Sequence, residues 1–248
     1  MIGGGRNPKP RIGVAHGPGT NCHWETAYAI DLAGGDGRVV LVSDLLAGRA
    51  ALADYQALVI PGGFSWGDHI AAGRVFAVHL MARLRDQFEE FARRCPILGI
   101  CNGYQVLMEM GLLPVGIIGE RRGALAQNRS ARFESRWSRL QALPTDSFWT
   151  DGLTDRIIRL PVAHAEGRMV VSPGTQVRPA FLYVNDADQP TEDYPANPAG
   201  SPGGVAGTID QSGLILGLMP HPERASLDIH GSTDGLALFR NLVRFCGA

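Results

Sequence analysis

Apolar, largely β-branched runs recur through the first hundred positions, at Ile12-Gly-Val-Ala15, Val39-Val-Leu-Val42, Leu58-Val-Ile60 and Ile97-Leu-Gly-Ile100. Runs without alternating polar positions suit strands buried on both faces, as in a parallel sheet covered by helices. Between the third and fourth runs, Phe76, Leu80, Leu84, Phe88 and Phe91 follow one another at helical spacing and predict an amphipathic helix. A second helix is predicted at the C-terminus, where Leu236, Phe239, Leu242 and Val243 form a stripe after Asp234-Gly235.

From Arg132 to Leu140 the pattern shifts toward alternation, and further strands are predicted at Met169–Val171, Phe181–Val184, Gly204–Ile209 and Leu214–Leu218. The last two flank Asp210-Gln-Ser-Gly213, a hairpin turn. The expected fold is therefore α/β: a mostly parallel sheet with helices on both faces and an antiparallel C-terminal extension. Residues 185–203, rich in Asp, Pro, Asn and Gly, read as a long loop, the kind used as a lid or interface element or left disordered. At 248 residues the chain fits one domain over 11–248, with the Gly-rich residues 1–10 as a flexible extension.

Composition narrows the function. The formal net charge of −1 gives no global attraction for nucleic acid or an anionic membrane. Arg121, Arg122, Arg129, Arg132, Arg136 and Arg139 cluster in sequence, but with little aromatic interleaving they read as a solvated or partner-facing surface. Four cysteines without C-x-x-C pairs fit a reducing, cytoplasmic setting. No apolar stretch suggests a leader or a membrane span. Gly17-Pro-Gly-Thr20 follows a strand without the Gly-Lys-Ser/Thr ending of a phosphate-binding loop, so no nucleotide cofactor is expected in this chain.

The strongest chemical signal is Gly99-Ile-Cys-Asn-Gly103, where an apolar strand gives way to the helical pattern from Tyr104. This is the layout of a nucleophile elbow with Cys in place of Ser: the glycines permit a sharp turn and close approach of a neighbouring strand. A lone cysteine at a strand end is more often an inert buried residue, but the flanking glycines and the strand-to-helix position favour a nucleophile at Cys101. In Pro220-His-Pro-Glu223 the second proline pushes His221 toward extended backbone, and residues i and i+2 of an extended chain share a face. Glu223 can then hold one imidazole nitrogen while the other serves Cys101. Alone, that His would read as a solvated loop residue; no metal site is expected, because no further ligand sits at a suitable spacing. Pro61-Gly-Gly-Phe-Ser65 follows the carboxyl end of the third strand, and substrates collect at the carboxyl ends of parallel strands. Its free N–H groups suit an oxyanion hole formed by Gly63 and Asn102.

Assembled, these motifs resemble the class I glutamine amidotransferases, whose G-x-C-x-G-x-Q pattern is met by Gly99, Cys101, Gly103 and Gln105. More narrowly the chain resembles the PurQ branch, the glutaminase components of phosphoribosylformylglycinamidine synthase. Segments Gly17–Cys22, Pro61–Asp68, Asn128–Glu134, Pro161–Gly167, Leu218–Arg224 and Ser232–Leu236 carry that resemblance across nearly the whole chain. It implies a flavodoxin-like amidotransferase fold, Cys101 as nucleophile, His221 as base, Glu223 as its orienting carboxylate, and glutamine contacts that include Gly62 and Gln105. It also implies ammonia delivery to a PurL-like synthetase subunit that uses ATP and Mg, and leaves room for a small PurS-like accessory subunit. His16, His23, Trp66, His69 and Ala165 depart from the branch's pattern, none of them in the proposed triad. The rival readings are an amidotransferase for another acceptor, a cysteine peptidase or other acyl hydrolase on the same fold, and a regulatory subunit with a vestigial site.

Overall fold

A computed structural model describes residues 8–248; the first seven residues of the expected N-terminal extension lie outside the described residues. The chain enters the fold through β1 (Arg11–His16), α1 (His23–Leu32), β2 (Asp36–Leu41), α2 (Val42–Leu46), β3 (Ala57–Ile60), α3 (Arg74–Ala92), β4 (Ile97–Ile100) and α4 (Asn102–Met110). There follow β5 (Gly123–Ala126), β6 (Glu134–Ala142), β7 (Ile157–His164), β8 (Arg168–Val171), β9 (Arg178–Tyr183), β10 (Val205–Ile209), β11 (Ile215–Leu218) and α5 (Leu236–Cys246).

Nine strands form one sheet in the order β2-β1-β3-β4-β11-β10-β9-β6-β7, and β5 pairs with β8 in a separate ribbon. β2, β1, β3, β4 and β11 are mutually parallel. β11 is also antiparallel to β10, and antiparallel pairing continues to β7. Every residue of β3, β4 and β11 is buried, which accounts for their uninterrupted apolar runs. The step from β1 to β2 runs opposite to the steps from β2 to β3 and β3 to β4, so right-handed crossovers put α1 on one face and α2 and α3 on the other. Accordingly α1 packs with α5, and α3 with α2 and α4. No helix among the described residues is long and apolar enough to cross a membrane.

Several elements differ from the sequence expectation. Val42 begins α2 instead of ending a strand, and β6 starts at Glu134, two residues after the alternation does. β7 was not foreseen, because Pro161 lies inside it; as the edge strand paired only with β6, β7 accommodates a residue with no N–H. Residues 185–203 are tied down as a loop: Asn197 Nδ2 donates to the Ser201 carbonyl at 2.8 Å, and Ser201 Oγ donates to the Gly167 carbonyl at 3.2 Å.

Candidate active site

At the end of β4 the backbone turns through Cys101, which holds φ 49° and ψ −104° before α4 begins at Asn102. Positive φ in a non-glycine residue costs on the order of 1–3 kcal/mol and persists only where its surroundings impose it. Here Cys101 N–H donates to the Leu218 carbonyl at 2.8 Å, and Gln105 N–H returns to the Cys101 carbonyl at 3.1 Å. Both flanking glycines are sterically required. A Cβ on Gly103 would overlap the Ile60 carbonyl oxygen of β3, and one on Gly99 would lie 2.7 Å from the Gly103 carbonyl. Cys101 is buried, its S–H donates weakly to the Ala163 carbonyl at 3.6 Å, and it immediately precedes α4.

β11 runs beside β4 with Leu218 opposite Ile100, so the segment after β11 emerges next to the elbow. His221 is extended at φ −102° and ψ 94°, and its N–H donates to the Pro161 carbonyl of β7 at 2.8 Å. Its Nδ1 lies 2.6 Å from Glu223 Oε1, with both residues buried. The short 3-10 turn Pro222–Arg224 makes this contact, where the sequence had suggested an extended run. Burial disfavours the imidazolium, but the Glu223 carboxylate and then the Cys101 and Cys22 sulfurs outweigh it, holding the His221 pKa well above its ordinary value. Nε2 makes no hydrogen bond and is buried.

The Gly62-Gly63 turn closes the third side. A Cβ on Gly62 would stand 2.7 Å from His221 Cε1 and 3.1 Å from Cys22 Sγ, so this glycine, expected to touch substrate, backs the imidazole. Gly63 bridges to Thr20. Neither its N–H nor that of Asn102 finds an acceptor among the described residues. Gly63 lines a cavity of about 40 Å³ together with Cys101, Gln105, Ala163, His164 and Glu166. Gln105 is held on both sides: its Nε2 donates to the Glu166 carbonyl at 2.6 Å, and its Oε1 accepts from Asn102 Nδ2 at 2.9 Å. Asn102 Nδ2 also reaches Asp68 Oδ1 at 3.2 Å; burial, and then the Glu166 charge, push the Asp68 carboxyl up to about 6.

A model of the CobB/CobQ-like glutamine amidotransferase domain matches residues 9–246. Subunit PurQ of phosphoribosylformylglycinamidine synthase from Dehalococcoides mccartyi is 39% identical over 245 residues, covering 92% of this chain and 94% of that one. The chain belongs to the PurQ family of class I glutamine amidotransferases. The Pyrococcus furiosus PurQ subunit is 41% identical over 233 residues, covering 92% of this chain and 95% of its own. Among solved structures, PurLQS from Thermotoga maritima aligns with a TM-score of 0.79 at 34% identity, over 96% of this chain and 99% of that one.

Several residues around this PurQ-family site were not picked out as functional from the sequence. Cys22 is buried against His221, and burial first of all raises its thiol pKa to about 11. With His221 and Glu223 it forms the one group of metal-capable side chains among the described residues, their ligand atoms all within 4.8 Å. The Arg224 guanidinium already donates to the Cys22 sulfur at 3.1 Å and so brings a cation to this group. Only the inclusion of Cys22 in the Gly17–Cys22 segment signalled it. Ala165, grouped with departures outside the triad, lines the cavity. His16 and His23 pack ring on ring at 4.0 Å, and Trp66 stacks on His79 at 5.0 Å.

Proposed function

We infer that this chain is the glutaminase subunit of a phosphoribosylformylglycinamidine synthase, releasing ammonia from glutamine for a separate synthetase in purine synthesis. The observation that carries the chemistry is the strained Cys101 elbow set beside a buried His221–Glu223 pair at the carboxyl ends of adjacent parallel strands. With His221 held toward its charged form, Cys101 attacks the glutamine carboxamide carbon as thiolate. The Gly63 and Asn102 N–H groups receive the oxyanion, a role in which one donor is worth on the order of 10²–10³ in rate. His221 protonates the departing nitrogen, ammonia leaves, and the γ-glutamyl thioester remains on Cys101. The now neutral imidazole takes a proton from water, whose attack releases glutamate and regenerates the thiolate. Glu223 keeps the imidazole oriented throughout, and Gln105 braces the pocket wall through Glu166.

The chain itself holds no cofactor in this reading; ATP and Mg belong to a PurL-like synthetase subunit. A small PurS-like subunit completes the assembly, in keeping with the PurLQS composition of the Thermotoga relative. The reaction runs in the cytoplasm. Cys101→Ala and His221→Asn should each abolish ammonia release in the assembled enzyme, whereas Cys95→Ala, a change outside the site, should leave it within about twofold of wild type. Substantial turnover by Cys101→Ala contradicts the assignment.

A further inference from the structure

The wall of the cavity opposite the elbow is the segment from Ala163 to Gly167, and one side chain fastens it. Asn128, itself buried, donates from Nδ2 to the carbonyls of His164 at 2.8 Å and Arg132 at 2.9 Å. Its backbone N–H donates to the Ala165 carbonyl at 2.7 Å. Its Oδ1 accepts from Gly167 N–H at 3.0 Å and lies 2.9 Å from His164 Nδ1. Because Gly167 N–H can only donate and the two carbonyls can only accept, the orientation of the Asn128 amide is fixed. Its oxygen therefore faces His164, and His164 Nδ1 must carry the proton.

The other nitrogen is then a bare lone pair. His164 is 3% exposed, its Nε2 is buried without any hydrogen-bond partner, and the residue lines the same cavity as Cys101. An orphaned buried acceptor costs about 1–3 kcal/mol, so its retention in a residue that lines this cavity calls for a ligand donor. Burial, with the neighbouring His221 charge adding to it, lowers the His164 pKa to about 3, so the ring does not become a donor at neutral pH.

We propose that His164 Nε2 is a substrate-contacting group, a fixed acceptor for an N–H of the glutamine carboxamide bound at Cys101. This deepens the glutaminase reading and rests on it. A carboxamide brings two N–H donors to the sulfur, whereas the carboxylate of the product brings only lone pairs, which His164 Nε2 repels. The residue would thus favour amide substrate over acid product, a discrimination that neither the oxyanion donors nor the triad supplies. Sites built to pair a specific N–H or O–H reject analogues lacking it far more sharply than apolar pockets do.

The test compares glutamine with glutamate γ-methyl ester, which presents the same γ-glutamyl acyl carbon and no N–H on the leaving group. Both should be assayed on wild type, His164→Phe and His164→Gln in the assembled synthase. His164→Phe is expected to lose at least about tenfold in kcat/KM for glutamine while ester hydrolysis stays within about threefold, with His164→Gln, which keeps an acceptor oxygen, recovering part of the loss. Parallel losses on both substrates would reduce His164 to a packing residue and overturn the proposal, as would no loss on either. Where Phe prevents folding, His164→Leu, which also lacks an acceptor, takes its place, and an amide-to-ester ratio equal to wild type in that variant counts against the proposal. Failure of the wild type to turn over glutamine would refute the glutaminase reading itself, a result distinct from an unchanged ratio.

Discussion

Cys101 and His221 depend on neighbours that carry charge and shape to them. Glu223 is the largest influence raising the His221 pKa against the effect of burial, so neutralising it at constant shape isolates its contribution. Glu223→Gln should cut glutamine turnover by on the order of 10²–10⁴-fold. Because the carboxylate holds the His221 pKa up, the alkaline limb of the pH profile, where the imidazolium loses its proton, should move to lower pH in the variant. An unmoved limb would mean that Glu223 only fills space. Asp68 gives the converse case. Its folded pKa of about 6 exceeds the ordinary carboxyl value of 3.8, so the folded state binds the proton more tightly. Its favourable contribution is present below about 3.8 and is lost as pH rises through about 6. Asp68→Asn stays neutral, so its melting temperature relative to wild type should rise between pH 4.5 and 7.5; a difference independent of pH would contradict the shift.

At the scale of elements, the elbow works because β3, β4 and α4 meet with no side chain between them at Gly103. Gly103→Ala should destabilise the fold by about 1–3 kcal/mol or more, as overpacking does, because the obstructing atom is a backbone oxygen that cannot rotate away. Equilibrium denaturation measures it, and a cost below about 0.5 kcal/mol would show that β3 and α4 can part freely. Such elements were legible in the sequence when their physics is local. β3, β4 and β11 announced themselves as buried apolar runs, and α3 by its phenylalanine and leucine stripe. The turn at Asp210–Gly213 was visible too, and there the Asp210 carboxylate accepts from the N–H groups of Ser212 and Ile215, both at 3.0 Å. What escaped is set by distant partners. α1 buries only Thr26, Ala27, Ala29 and Ile30, too little bulk for an apolar stripe, and β7 hides behind its edge-strand proline. The proposed triad residues Cys101, His221 and Glu223 stand out through local turn chemistry, whereas His164 and Asn128 meet in a contact 36 residues apart in the chain that no spacing rule reveals.

Across the whole molecule, the parallel half presents the elbow and the antiparallel half supplies the opposite wall, with β11 shared between them. β7 anchors both sides at once: its Pro161 carbonyl holds His221, its Ala163 carbonyl meets the Cys101 sulfur, and its last residue is His164. The cavity enclosed between the halves, about 40 Å³, is far smaller than the roughly 300–1,000 Å³ of a ligand pocket. Two contacts hold it shut: Gln105 Nε2 to the Glu166 carbonyl, and Ala72 N–H to Glu166 Oε2 at 3.3 Å. Glutamine entry requires these contacts to give. The most direct test is therefore ammonia release from glutamine by the purified chain, alone and with a formylglycinamide ribonucleotide synthetase subunit supplied with ATP, Mg and its substrate. The account predicts weak release alone and strong activation by the synthetase, lost in Cys101→Ala; full activity indifferent to the synthetase, or none in either condition, would contradict it.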